Sequence, residues 1–250
     1  MKASTISLKI LKLIAVVAFW LGIWYLLAFI VDKELFLPYP HTVGRTLVEL
    51  CREPRFLKIV GTSLFRILKG FAAGVLLGFV LALVTYYIPF LKDFISPAVR
   101  TVRATPVVSF ILLAYLWLDN DTIPIVIALL MVAPIIWENM SAGLSGLSTE
   151  LHEMAVVYKL SRHREFMKIT MPQLTPHIYS GCQSSLGLAW KSGIAAEVIS
   201  YPKIAIGKSM NDAKTLLETS EVLAWTVVVV ALSLVFELLF KLAFGRRAKK

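Results

Sequence analysis

The 250-residue chain is 58% hydrophobic and only 17% charged, with a mean hydropathy of +0.75, a composition outside the range of soluble domains. Its net charge of +10 comes from basic residues scattered over loops at the ends of apolar stretches, which points to membrane-surface charge and away from nucleic acid. The two cysteines, Cys51 and Cys182, have no metal-ligand spacing and fall at different levels of the expected topology, so neither a metal site nor a disulfide is expected.

A hydrocarbon core of about 30 Å needs roughly 20 apolar helical residues to cross it. Six segments qualify, at roughly residues 11–31, 70–88, 105–118, 122–140, 177–199 and 222–243. The expected fold is therefore an all-α, polytopic membrane helix bundle with about six transmembrane helices. The first segment follows a basic start (Lys2, Lys9, Lys12). Its apolar stretch is too long for a secretory signal, and no small-residue cleavage site follows, so it reads as a retained helix. Residues 41–69 mix charges with Val43, Leu47, Leu50, Phe56 and Ile59, the pattern of an amphipathic helix lying along the external surface. Residues 1–62 then form an N-terminal unit, and residues 63–250 the core.

In the second span Gly70, Gly74 and Gly78 recur every four residues, which puts them on one face and lets a neighbouring helix of the same chain approach closely. The third span is short, and crosses only if it begins near Ser96 or Ala98 and tilts. Pro106, Pro124 and Pro134 interrupt the third and fourth spans and free carbonyls that neighbours or cavity water must satisfy. Glu138, at the end of the fourth span, reads as an interfacial charge.

Between the fourth and fifth spans lies a charged, helix-compatible segment, Glu153 to Pro172, with Ala155 two positions after its glutamate, Lys159-Leu160-Ser161 after a spacer, and Met171-Pro172 at its end. Lysine and arginine favour cytoplasmic loops, and their distribution places both termini and this segment, about residues 145–173, in the cytoplasm. A loop of this kind gives a membrane protein a handle for a soluble partner.

In the fifth span Ser180, Ser184, Gly187 and Lys191 follow spacings of four, three and four, forming one small, polar stripe that ends in a cation. A lysine at membrane depth costs at least ~2.5 kcal/mol, so it faces a wet cavity, snorkels to the interface or pairs with a carboxylate. Glu197 lies six residues on, about 240° around the helix, at an external gate or at the membrane surface. Gly207-Lys208-Ser209 imitates the end of a phosphate-binding loop, but the position for its first glycine is Pro202 and no buried strand precedes it. The chain therefore carries no ATP site, and no catalytic constellation is visible.

From about Ser63 to Arg247 the sequence resembles the inner-membrane permease subunit of the nitrate, sulfonate, taurine and bicarbonate branch of ABC importers. The passages that carry the likeness are SLFRILKGFAAGVLLG, FISPAVRTVRATPVVSFILLAYLW, the Glu153 to Pro172 loop, LGLAWKSGIAAEVI and IGKSMNDAK. The resemblance implies the architecture of a type I ABC importer permease, working as a homodimer in the cell membrane. It further implies two cytoplasmic ATP-binding cassette subunits that hold ATP and magnesium, and an extracytoplasmic binding protein that delivers the substrate. On this reading Glu153, Ala155, Lys159, Leu160, Ser161 and Pro172 couple the chain to the ATPase, and Ser180, Ser184, Gly187, Lys191 and Glu197 belong to the translocation path.

Two departures stand out. Met154 replaces the first alanine of the family's Glu-Ala-Ala, and Lys159 occupies the usual glycine position. Lysine fits there without strain only if the turn is not left-handed. An ion-coupled secondary transporter and a membrane-embedded enzyme are the competing classes. The first usually shows an internal repeat and acids in mid-span, and the second needs a catalytic set.

Overall fold

The structure, a computed structural model, describes residues 2–244. The basic C-terminal residues Arg246, Arg247, Lys249 and Lys250 on which part of the orientation argument rests lie outside the described residues. All regular structure among the described residues is helical: α1 (Lys2–Val31), α2 (Pro40–Arg52), α3 (Phe56–Tyr87), α4 (Pro89–Ala104), α5 (Val107–Ala114), α6 (Ile123–Ser145), α7 (Thr149–Val157), α8 (Arg162–Glu165), α9 (Met171–Ser200), α10 (Ile206–Thr215) and α11 (Thr219–Phe244), with a π-helical turn at Phe166–Thr170 between α8 and α9. The chain forms two compact units, one from Met1–Lys58 with Ser209–Val229 and the other from Ile59–Lys208 with Val230–Lys250.

Among the described residues four helices are long and apolar enough to cross a membrane, within α1, α3, α6 and α11, and a fifth crossing results if the bent pair α4 and α5 counts as one. By length and apolarity alone, four or five of the expected six are recovered. The expected third span is not a single tilted helix: α4 and α5 meet at a 99° bend. Thr105 there is extended, as a residue before proline prefers, and Pro106 begins the new helix without an N–H to continue the old one. The expected fifth span, α9, has 30 residues, which is long enough, but its serines, lysine and glutamate keep it outside the apolar set.

The amphipathic segment expected over 41–69 also divides. α2 ends at Arg52, and α3 begins at Phe56 and runs unbroken through residue 62, where the sequence reading drew its boundary. In the first unit Trp24 Nε1 donates to Pro38 O at 3.1 Å, Tyr25 shares a 3.0 Å hydrogen bond with His41, and the rings of Phe56 and Trp225 stack at 5.7 Å. The first two clasps set the turn between α1 and α2, and the ring stack joins the start of α3 to α11.

The second unit is organised around α6, most of whose apolar span is buried. α3 lies so close to it that a Cβ on Gly70 would stand 2.8 Å from Ala128 Cβ, on Gly74 2.7 Å from Val132 Cβ, and on Gly78 2.8 Å from Ile136 Cβ. The three glycines thus form one continuous seam against α6 of the same chain, where any side chain would force the backbones apart. α9 packs on another face of α6, with Gly181 against Ile136 and Asn139. Ile111, Ile123, Ile127 and Ala196 close the core where α5, α6 and α9 meet. Pro124 does not interrupt α6 as expected: it sits in the first turn, where a missing N–H costs nothing. Pro134 is inside α6 and buried.

Candidate functional site

The segment after α6 folds as a compact helix-turn-helix. Ser148 caps α7 by accepting from Leu151 N at 3.3 Å, and Ser161 caps α8 by accepting from Arg164 N at 3.4 Å. The turn between them is closed by Lys159 N donating to Val156 O at 3.0 Å and Leu160 N donating to Ala155 O at 2.9 Å, the paired bonds of a Schellman motif. That motif demands a left-handed residue, and Lys159 supplies it with φ of 51°. The turn is therefore built in the glycine-demanding way although the residue is lysine, at a cost of about 1 kcal/mol. Ala155, one of the coupling residues the resemblance implies, is 1% exposed, and its small size serves the inside of this turn.

The loop is braced twice. His152 Nδ1 and Glu165 Oε1 meet at 2.5 Å across the turn, and Ser148 N donates to Gln173 Oε1 at 3.0 Å, tying the start of α7 to the start of α9. Behind the loop a cavity of about 500 Å³ opens toward Tyr86 and Tyr87 at the end of α3. Outward, Glu153, Lys159 and Pro172 are exposed. Beside them stand Met154, Val157 at 77% and Tyr158 at 73% exposure, an apolar tip on a charged loop. Pattern reading singled out Glu153 and the turn, but missed this tip, whose signal is the apolar run Ala155 to Tyr158 just before the turn.

On α9, Ser180, Ser184 and Lys191 are exposed and Gly187 is half-buried, so the stripe lies along one face, as the spacing requires. Ser184 Oγ donates a hydrogen bond to Ser180 O at 2.8 Å. Lys191 forms no ion pair among the described residues.

Glu197 departs from the expected path. It is completely buried, accepting from Arg66 Nη1 at 2.6 Å, Ser63 Oγ at 2.8 Å and Gly207 N at 3.2 Å. Arg66 Nη2 also reaches Asp121 Oδ1 at 2.7 Å, and Ser63 Oγ accepts from Ile206 N at 2.8 Å. This network joins α3, α9, the turn before α6 and the start of α10, and it faces away from the stripe because six residues carry Glu197 around the helix. Gly207 needs its missing side chain here, since a Cβ would collide with Glu197 Cβ and Val198 N. The residues that imitate a phosphate-binding loop thus spend their amide on a carboxylate of their own chain. Arg66, which nothing in the sequence pattern sets apart from the other basic residues, is the hub. Glu138, the expected interfacial charge, is ion-paired with Arg103 of α4.

Residues 74–249 match the family described as the binding-protein-dependent transport system inner membrane component. The chain belongs to that family. This inner-membrane component is 26% identical over 194 residues to the putative aliphatic sulfonates transport permease protein SsuC of Bacillus subtilis, covering 77% of this chain and 70% of that one. It is 24% identical over 240 residues to the taurine transport system permease protein TauC of Escherichia coli, covering 93% and 87%. Over 139 residues it is 28% identical to the nitrate import permease protein NrtB of Synechocystis, covering 55% and 50%. Among solved structures its fold matches a chain of the MetNI methionine ABC transporter in an inward-facing conformation, with a TM-score of 0.58 at 14% identity over 79% of this chain and 98% of that chain. The protein is a multi-pass membrane component of an importer that works with a binding protein, and its fold is that of an ABC importer permease.

Proposed function

We propose that this chain is the permease subunit of an ATP-driven importer, that two copies of it enclose the substrate path, and that each presents the Glu153–Met171 loop to a separate cytoplasmic ATP-hydrolysing subunit. ATP and magnesium are held by that partner. Both termini and the loop lie in the cytoplasm, and the turn at residues 201–205 faces the binding protein outside.

The observation that carries this reading is the loop itself: a short, doubly capped and doubly braced helix-turn-helix with Val157 and Tyr158 exposed at its tip. Such a body transmits force as a unit, because one bracing bond joins α7 to α8 and the other ties the cap of α7 to α9. A movement of the loop becomes a movement of the helix that carries the polar stripe. The cargo is a small anion such as a sulfonate, nitrate or bicarbonate. Support comes from the relatives named above and from Lys191, an exposed cation on a 30-residue helix.

In vesicles, uptake is expected only when the chain is reconstituted with an ATPase subunit, ATP and a loaded binding protein. Uptake by the chain alone, driven by an ion gradient, overturns the assignment in favour of a secondary transporter.

A further inference from the structure

One carboxylate escaped the sequence pattern. Glu237 lies well inside α11, among Leu234, Val235, Leu238 and Leu239, and it is exposed. Its side chain turns toward α9. A Cβ on Gly187 would stand 3.3 Å from Glu237 Oε1, and the antiparallel pairing of the two helices is fixed on either side by the stacked rings of Tyr179 and Phe240 at 5.5 Å and the edge-on rings of Trp190 and Phe236 at 5.1 Å. Gly187 is the third member of the polar stripe, and Lys191 follows it by one helical turn on the same face.

Two opposite charges therefore flank one stretch of the stripe. Neither forms an ion pair with the other or with any other described residue, Lys241 one turn beyond Glu237 included. An unpaired ionisable side chain inside a membrane helix is costly and turns to a water-filled cavity. The cost applies twice here, on neighbouring helices and toward one face.

We propose that Glu237 lines the translocation path together with Lys191 and determines its specificity, making the path bipolar and narrowing the class of small anions named above to those acids that also carry an ammonium group. Gly187 leaves room for the carboxylate, the lysine attracts the acid group, and the glutamate attracts the ammonium while opposing simple anions. The inference rests on the reading of the α9 stripe as the path.

The test uses the complete transporter in membrane vesicles, with Cys51→Ser and Cys182→Ala removing the native thiols and Ser184→Cys reporting from the stripe. Modification rates are measured with two impermeant methanethiosulfonates of similar size, one bearing trimethylammonium and one bearing sulfonate. Both reagents are expected to react. Glu237→Gln is expected to lower the cation-to-anion rate ratio by roughly tenfold and Lys191→Met to raise it similarly, since each removes one unit charge at close range. Glu237→Asp retains the ratio, which separates charge from packing. A shift with Lys191→Met alone overturns the role of Glu237 and leaves the stripe as a path for simple anions. No modification of Ser184→Cys by either reagent overturns the path itself and the proposal with it.

Discussion

Arg66 and Glu197, 131 positions apart in sequence, meet at 2.6 Å in the interior of the protein. Arg66 is 7% exposed and Glu197 fully buried, while the second carboxylate on Arg66, Asp121, keeps 43% of its surface exposed. Removing one partner of a buried pair strands the other charge and typically costs about 3–5 kcal/mol. Arg66→Met is therefore expected to abolish most folded protein or to lower its unfolding temperature strongly. Adding Glu197→Leu to Arg66→Met is expected to recover a large part of the loss, and Asp121→Asn alone to do little. Thermal unfolding of the detergent-solubilised variants measures all three.

The glycine seam gives a second expectation. Gly74 faces Val132 with no room for a methyl group, so Gly74→Ala is expected to lower stability by about 1–3 kcal/mol through overpacking. Gly61, which has nothing within 4 Å of a Cβ position, is the control on the same helix, and Gly61→Ala is expected to be neutral or slightly stabilising. Equal effects at the two sites would contradict the packing of α3 on α6.

Lys159 supplies a third. Its left-handed φ of 51° suits glycine better than lysine, so Lys159→Gly is expected to stabilise the loop by roughly 0.5–1 kcal/mol and to slow amide exchange of Leu160. Lys159→Val is expected to open the turn, because a β-branched residue is a poor occupant of that region. Faster exchange in Lys159→Gly would show that the lysine side chain stabilises the turn by more than the strain costs.

These cases show how far the sequence could be read. The glycine spacing and the polar stripe were legible because each depends on periodicity along one helix, whereas the helix-turn-helix read from Glu153 begins four residues earlier, at Thr149. What depends on contact between distant segments was not legible. Arg66 gave no signal because its partners are 55 and 131 positions away, and Glu197 was assigned to the path because only the fold turns it inward. α9 is less apolar than the other long helices because it carries the polar stripe, and its 30 residues are still long enough to cross. The burial of Ala155 was not legible because it is created by the Schellman turn. Glu237 sat in plain view, but its meaning comes from Gly187 on another helix.

Lys191 separates a path from a structural role. Lys191→Met is expected to reduce uptake at least tenfold while the amount of folded transporter and the ligand affinity of the separate binding protein stay unchanged. Lys191→Arg is expected to retain part of the uptake, since the charge survives in a different geometry. A loss of folded transporter in Lys191→Met would instead make the lysine a structural ion-pair partner in the assembled complex.

The coupling loop is the centre of the account, and Glu153→Lys tests it most directly. ATP hydrolysis and uptake are measured together in proteoliposomes holding the complete transporter and its loaded binding protein. Glu153 is exposed, so its reversal leaves insertion and folding intact. The account predicts that stimulated hydrolysis and uptake both fall at least tenfold. Wild-type hydrolysis with wild-type uptake in Glu153→Lys would contradict it.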